Sequence, residues 1–209
     1  MGVLEGQEDL IAHFQDRCPN FGERCGLSCG LLSNPVFGEG PINADLMFIG
    51  EAPGEEEDKQ GRPFVGRSGQ LLDLGIHKTG LSRSDVYITN IVKCRPPGNR
   101  NPSDGEIDEC MPLLLSQIEF IKPKLIVLLG RVAASVIIGA PIKITKERGL
   151  IDVLRFNHDV LILSTYHPSY VLRNRNTQIE EDFYQDLLDA RNIVYGRYSD
   201  DHVHDGSAG

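Results

Sequence analysis

The chain has 209 residues, 40% of them hydrophobic and 24% charged, enough for one folded core. A formal charge of −9 counts against a protein that holds nucleic acid through a broad basic face, although a local basic rim on an acidic protein still seats phosphates. No apolar run approaches the roughly 20 residues of a membrane span, and Met1 to Glu8 lacks the basic and apolar regions of a secretory leader, so an intracellular, cytoplasmic protein without membrane contact is expected.

Leu10, Ile11 and Phe14 recur at helical spacing and predict a short amphipathic helix near residues 8–16. A stretch with Cys18, Cys25 and Cys29 follows. Cys94 and Cys110 bring the total to five, and an odd count in an intracellular chain argues against a disulfide framework and for a metal or cluster site. Residues 36–40 read as a short extended piece ahead of the first main strand, the apolar run Leu46, Met47, Phe48 and Ile49. Segment 50–66 then leads to a helix predicted over 68–79. Its four glycines and two prolines force special dihedrals, and its carboxylates Glu55, Glu56, Glu57 and Asp58 are not core material.

A β-branched and aromatic run over 86–92 predicts the second strand. Pro96, Pro97 and Pro102 make 93–102 a loop. It ends in Ser103 with Glu106 three residues on, a capping box that opens a helix to about Ile121. The nearly continuous apolar run from Lys124 to Gly130 predicts a strand buried on both faces. A helix over 131–138, edge pieces at 142–145 and 149–154, a last core strand at 160–164 and a closing helix at 177–193 complete the pattern. The polar tail 199–209 is expected to be disordered.

Alternating strands and helices predict a single three-layer α/β/α domain over 1–198, with a mostly parallel four-stranded central sheet. Loops 51–64, 90–99 and 167–173 leave three strand ends, and in a parallel sheet those ends share one edge, where ligands bind. Asn90 would bring an amide that donates and accepts, His167 a titratable donor, and Phe64, between Pro63 and Val65, an aromatic plate on a stiff loop. Lys93, Arg95 and Arg100, with Arg173 and Arg175 and with Lys143, Lys146 and Arg148, would form the basic rim.

Gly50-Glu51-Ala52-Pro53-Gly54, with Glu57-Asp58 and Gly61-Arg62-Pro63-Phe64-Val65-Gly66, resembles the first motif of the family 4 uracil-DNA glycosylases, the iron–sulfur, thermostable-type branch of the superfamily. Thr89-Asn90-Ile91-Val92-Lys93-Cys94-Arg95-Pro96-Pro97 and His167-Pro168-Ser169-Tyr170-Val171-Leu172-Arg173-Asn174 resemble its other signatures. The resemblance implies a monofunctional glycosylase that releases uracil from single- and double-stranded DNA as a monomer and leaves an abasic site. The base must leave the stack, or come from a single strand. Phe64 would give it a face to lie on, and Asn90 would read O4 and N3–H. His167, with a backbone N–H near Glu51 and Ala52, would stabilise the charge growing on O2; such donors are typically worth roughly 3–4 kcal/mol each. Other members of the superfamily orient the water with Asp or Asn where this chain has Ala52, which leaves Glu51 or Asn99 to assist.

The resemblance places Glu57 beside the uracil C5 position as a barrier to thymine; the other reading is one more solvated acid. Leu172 either wedges into the gap left by the base or packs, and Arg173, Arg95 and Arg100 would meet DNA. The family's [4Fe–4S] cluster implies Cys29, Cys94 and Cys110 as ligands, with Cys25 or Cys18 as the fourth; four thiolates taken alone also suit zinc. An iron–sulfur DNA-binding protein of the same fold without glycosylase activity is the alternative. A relative that bonds covalently to DNA through a His-bearing insertion is set aside, because Cys94-Arg95-Pro96-Pro97 follows the second strand directly.

Overall fold

The computed structural model describes residues 35–155 and 159–196. The helix expected near 8–16, the cysteines at 18, 25 and 29, and the tail 199–209 lie outside the described residues.

Four strands run parallel: β1 (Leu46–Gly50), β2 (Tyr87–Asn90), β3 (Leu125–Leu129) and, after the edge strand β4 (Ile151–Arg155), β5 (Asp159–Thr165). Their order is β2-β1-β3-β5-β4, with β4 antiparallel to β5. The sheet thus has five strands where the sequence predicts four. The expected edge piece at 149–154 becomes β4, pairing Val153 with Leu161. The piece expected at 142–145 is not a strand; it leads into a one-turn helix, α5 (Ile144–Glu147). Local bonds decide this, since Lys143 N–H donates to the Glu147 carboxylate and Glu147 N–H to the Lys143 carbonyl, both at 3.0 Å.

Strands buried on both faces alternate their side chains between two helical layers. Met47 and Ile49 of β1, with Ile126 and Leu128 of β3, pack against α3 (Asp104–Ile121) through Leu113, Leu114 and Ile118, and against α4 (Arg131–Ile138) through Ala133 and Ala134. Leu46, Phe48, Leu125 and Val127 face the other way. They meet Leu71, Leu72 and Ile76 of α2 (Arg67–Lys78) and Phe183 and Leu187 of α7 (Gln178–Tyr195). The capping box forms as the sequence predicts: Ser103 N–H donates to Glu106 at 2.7 Å and the Ser103 hydroxyl accepts from Glu106 N–H at 3.4 Å.

Two stretches expected as loops carry helices. Glu55–Gln60 forms α1, which Gly61 ends in the left-handed conformation at φ 66°. Pro168–Arg173 forms α6, with His167 as its N-cap. Arg148 turns inward rather than joining a basic rim. It pairs with Asp186 of α7, which is 1% exposed and also accepts from the Thr165 hydroxyl at 2.6 Å, so the end of β5 is tied to α7.

Gly69 lies where α2 passes under the Phe64 backbone, and a Cβ there would stand 1.8 Å from the Phe64 carbonyl oxygen. Gly105, in the first turn of α3, has open space around it. Gly69→Ala is therefore expected to lower the unfolding free energy by about 1–3 kcal/mol. Gly105→Ala is expected to raise it by about 0.5–1 kcal/mol. Denaturant melts of the two variants check the opposite signs.

Candidate active site

The strand register sets the site. Gly50 pairs with Asn90, Ile49 with Leu128 and Leu129 with Thr165, so the carboxyl ends of β1, β2, β3 and β5 stand side by side. The chain order reverses between β1 and β3, the switch point at which open α/β sheets hold ligands. A cavity of about 850 Å³ opens there, lined by the loop after β1 (Glu51 to Gly54), by Gly130 and Arg131 after β3, and by Tyr166 and His167 after β5.

Asn90, at the end of β2, is 1% exposed and lines this cavity. Its Nδ2 and Oδ1 are both buried and have no hydrogen-bond partner among the described residues. An unmade buried hydrogen bond costs about 1–3 kcal/mol, and native proteins rarely leave one without cause. A flat ligand with one donor beside one acceptor would satisfy both atoms. Gly50 makes the place for this amide, because a Cβ on it would stand 2.4 Å from Asn90 Oδ1 and 2.4 Å from Phe64 Cζ.

Phe64 is 5% exposed and held at φ 49°, a left-handed backbone rare outside glycine. Two clamps hold it there. Arg83 donates to the Phe64 carbonyl at 3.1 Å and to the Pro63 carbonyl, and its guanidinium is balanced by Asp73 and Glu39. Glu57 accepts from Val65 N–H and Gly66 N–H with one oxygen, at 2.8 Å each, and from Gly54 N–H with the other at 3.1 Å. Glu57 is thus not a solvated acid. It is the stitch between both ends of the first loop, and it lines the cavity. The Phe64 and His167 rings lie 6.0 Å apart between centroids, tilted by 38°.

His167 is partly open to the cavity. Its Nδ1 accepts from Ser169 N–H at 3.1 Å and lies 2.8 Å from the Ser169 hydroxyl. A backbone N–H only donates, so Nδ1 keeps its lone pair and the proton of the neutral ring sits on Nε2. Burial, aided by the nearby Arg173 guanidinium, pulls the imidazole down to about 4 against the opposing Glu57 carboxylate. Burial also pushes the Glu51 carboxyl up, with Arg131 opposing.

Other sequence-predicted residues divide. Ala52, Asn99, Arg100 and Arg173 line the cavity. Arg100 is already bound to both oxygens of Glu106 at 2.7 Å, and that guanidinium holds the Glu106 carboxyl down at about 2. Arg95 donates to Asn99 Oδ1 at 2.7 Å and lies 3.6 Å from Glu55. Leu172 is half-buried against the core that includes Leu72 and Phe183 and does not line the cavity. Lys93 is no rim residue: it is 2% exposed, because its amine turns inward to three acceptors. Arg83 and Arg131 escape the sequence reading. Arg83 is one arginine in a polar stretch whose partners lie distant in sequence, and Arg131 is a single charge between the apolar runs of β3 and α4.

Cys94 and Cys110 are buried, and Lys93 N–H donates to Cys110 Sγ at 3.4 Å, a contact suited to a thiolate ligand. The chain enters the described fold beside them, with Val36 N–H donating to the Lys93 carbonyl at 2.6 Å. Among the described residues no three His, Cys, Asp or Glu side chains gather as a metal site, and Cys25, Cys29 and Cys18 lie outside those residues.

Comparison with known proteins fits this geometry. Residues 37–188 match the model of the uracil DNA glycosylase superfamily. A type-4 uracil-DNA glycosylase of Thermotoga maritima is 45% identical over 163 residues, covering 78% of this chain and 84% of the relative. That of Saccharolobus solfataricus is 44% identical over 183 residues, covering 84% and 82%. That of Pyrobaculum aerophilum is 38% identical over 189 residues, covering 88% and 91%. With the family model spanning most of the chain and these relatives matched along most of their length, the chain belongs to the uracil DNA glycosylase superfamily, in its type-4 branch.

Proposed function

We propose that this chain hydrolyses the N-glycosidic bond of deoxyuridine in DNA, releasing uracil and leaving an abasic site. The observation that carries the reading is the buried, cavity-lining Asn90 amide, whose donor and acceptor have no partner among the described residues. Uracil offers the matching edge, with O4 accepting from Nδ2 and N3–H donating to Oδ1. Cytosine presents the opposite pattern and would leave buried polar groups unpaired. Phe64 gives the flipped base its face.

When the N1–C1′ bond breaks, its electron pair passes to uracil and charge gathers on O2. His167, neutral and carrying its proton on Nε2, has one N–H to donate there, and a fixed donor in a low-dielectric site needs no reorganisation during the reaction. Water adds to C1′. Glu51, made more basic by burial, is the group proposed to take its proton, with Asn99 assisting at the cavity wall. Glu57 is proposed as the wall at C5. Three backbone donors deny its carboxylate room to swing aside for a methyl group. Ala52 is proposed to face the base through its backbone.

The chain is also proposed to act as a monomer on uracil in single- and double-stranded DNA inside the cell. Arg173 and Arg131 line the cavity and make no ion pair among the described residues, so they are proposed as the main phosphate contacts. Arg95 and Arg100 already spend their charge on Glu55 and Glu106 and contribute less. Leu172 is kept as a contact to the strand, reached from its half-buried seat. Buried Cys94 and Cys110, one with an N–H to its sulfur, fit two ligand positions of a [4Fe–4S] cluster, which Cys25 and Cys29 would complete. The cluster would supply cross-linking of the 94–110 region, and no catalytic step passes through it.

Three outcomes test the reading. Asn90→Ala is expected to slow single-turnover uracil release at least about 100-fold, and a rate within about threefold of the parent rules out base reading by this amide. Arg131→Ala and Arg173→Ala are each expected to reduce the slope of log affinity against log salt by about 1, while Arg100→Ala leaves it nearly unchanged. The third is read by nitrogen NMR of the His167 ring. At pH 7 it should be neutral with the proton on Nε2, and it should titrate near 4 rather than near 6.5. Because the unfolded chain takes up this proton first, His167 should erode stability as pH falls below about 6.5 and no further below about 4. A midpoint near 6.5 overturns the assignment.

A further inference from the structure

The Asn90 amide makes no hydrogen bond among the described residues, so its aim depends on where the backbone holds it and on the packing of Gly50 and Phe64. That backbone sits at a weak place. β2 is the outer strand of the sheet among the described residues, and its outward-turned groups have no further strand there to meet. Ile88 solves this by exchanging both of its bonds with Glu39, at 2.8 and 2.9 Å. Two residues on, the buried Asn90 carbonyl accepts from Lys93 Nζ at 2.7 Å and has no second partner among the described residues. An unmet carbonyl there would carry a desolvation cost.

Lys93 is among the most buried side chains of the molecule. Its amine donates to the Thr89 hydroxyl at 2.8 Å, to the Asn90 carbonyl at 2.7 Å and to Gln117 Oε1 at 2.6 Å. Three acceptors thus surround the one nitrogen, and the contact to Asn90 is one of them. Gln117 is fixed in turn, since its Nε2 donates to the Phe37 carbonyl at 2.9 Å and to the Tyr87 hydroxyl at 3.1 Å. The Thr89 hydroxyl donates to the same Phe37 carbonyl at 2.6 Å. The network joins α3, β2 and the segment before β1 directly beneath the reader.

We infer that Lys93 is a positioning residue for uracil recognition: by closing the turn 90–93 on the Asn90 carbonyl, it holds the Asn90 amide in register with the base. The inference rests on the proposed reading of uracil by Asn90. Lys93 touches neither the base nor the reacting atoms; it acts only through Asn90.

A double-mutant cycle separates this role from plain stabilisation. Single-turnover uracil release is measured for Lys93→Met, for Asn90→Ala and for the pair, below the thermal midpoint of each, with iron per chain recorded to show that the Cys94 region is intact. Lys93→Met is expected to slow release about 10- to 100-fold in the parent and to add less than about twofold to Asn90→Ala. Free-uracil inhibition should weaken in step, while abasic-site DNA binding holds. Thr89→Val removes one of the three acceptors and keeps the Lys93 amine, and valine fits a buried strand position. It should show a smaller effect with the same dependence on Asn90, and it decides the matter if Lys93→Met does not fold. Equal slowing by these changes with and without the Asn90 amide, or no slowing of the folded parent, overturns the inference. An Asn90→Ala protein that releases uracil normally overturns the base-reading assignment itself, whatever Lys93 does.

Discussion

Gly50 leaves no room for a side chain, and the site depends on that. It ends β1 in register with Asn90, and the amide oxygen of Asn90 and the ring edge of Phe64 both press into the space a Cβ would take. Any other residue would push the Asn90 amide and the Phe64 ring apart. Parallel pairing of β1 with β2 and β3 brings the remaining parts to the same edge, so the loops after three strands converge without a long insertion.

Irregular backbone so close to a cavity needs its polar groups met from within. Here charged side chains meet them. Glu57 takes three N–H donors from two ends of one loop, and Arg83 takes two carbonyls of its middle. Charge-assisted hydrogen bonds are about twice as strong as neutral ones, which suits them to holding a non-glycine residue such as Phe64 at positive φ. Arg148 and Asp186 do the comparable work behind β5, with Thr165 as the third member. The acidity of this chain is therefore partly internal scaffolding. A net charge of −9 coexists with a cavity rim where Arg131 and Arg173 make no ion pair among the described residues.

The same division runs through the titratable groups. The Ser169 backbone amide settles the tautomer of His167, and burial keeps the ring neutral, so its one cavity-facing N–H is fixed before any ligand arrives. Glu51 is moved the other way by the same cause, because loss of water disfavours a carboxylate as it does an imidazolium. Burial thus favours the uncharged form of both groups at the cavity.

Much of this was legible in the residues alone. Apolar runs marked β1, β3 and β5, the Ser103 and Glu106 pair marked the start of α3, and strand-end positions singled out Asn90 and His167. These signals are local: periodicity, caps and breakers act within a few residues. Long-range pairing was not legible. Nothing near Lys93 says that its amine turns inward to Gln117, 24 residues away, or that Arg83 reaches back to the Phe64 loop. A lysine or arginine in a polar stretch looks the same whether it faces solvent or a buried carbonyl. Only the packed sheet, by burying the end of β2 and the first loop together, created the unmet acceptors that drew those groups in.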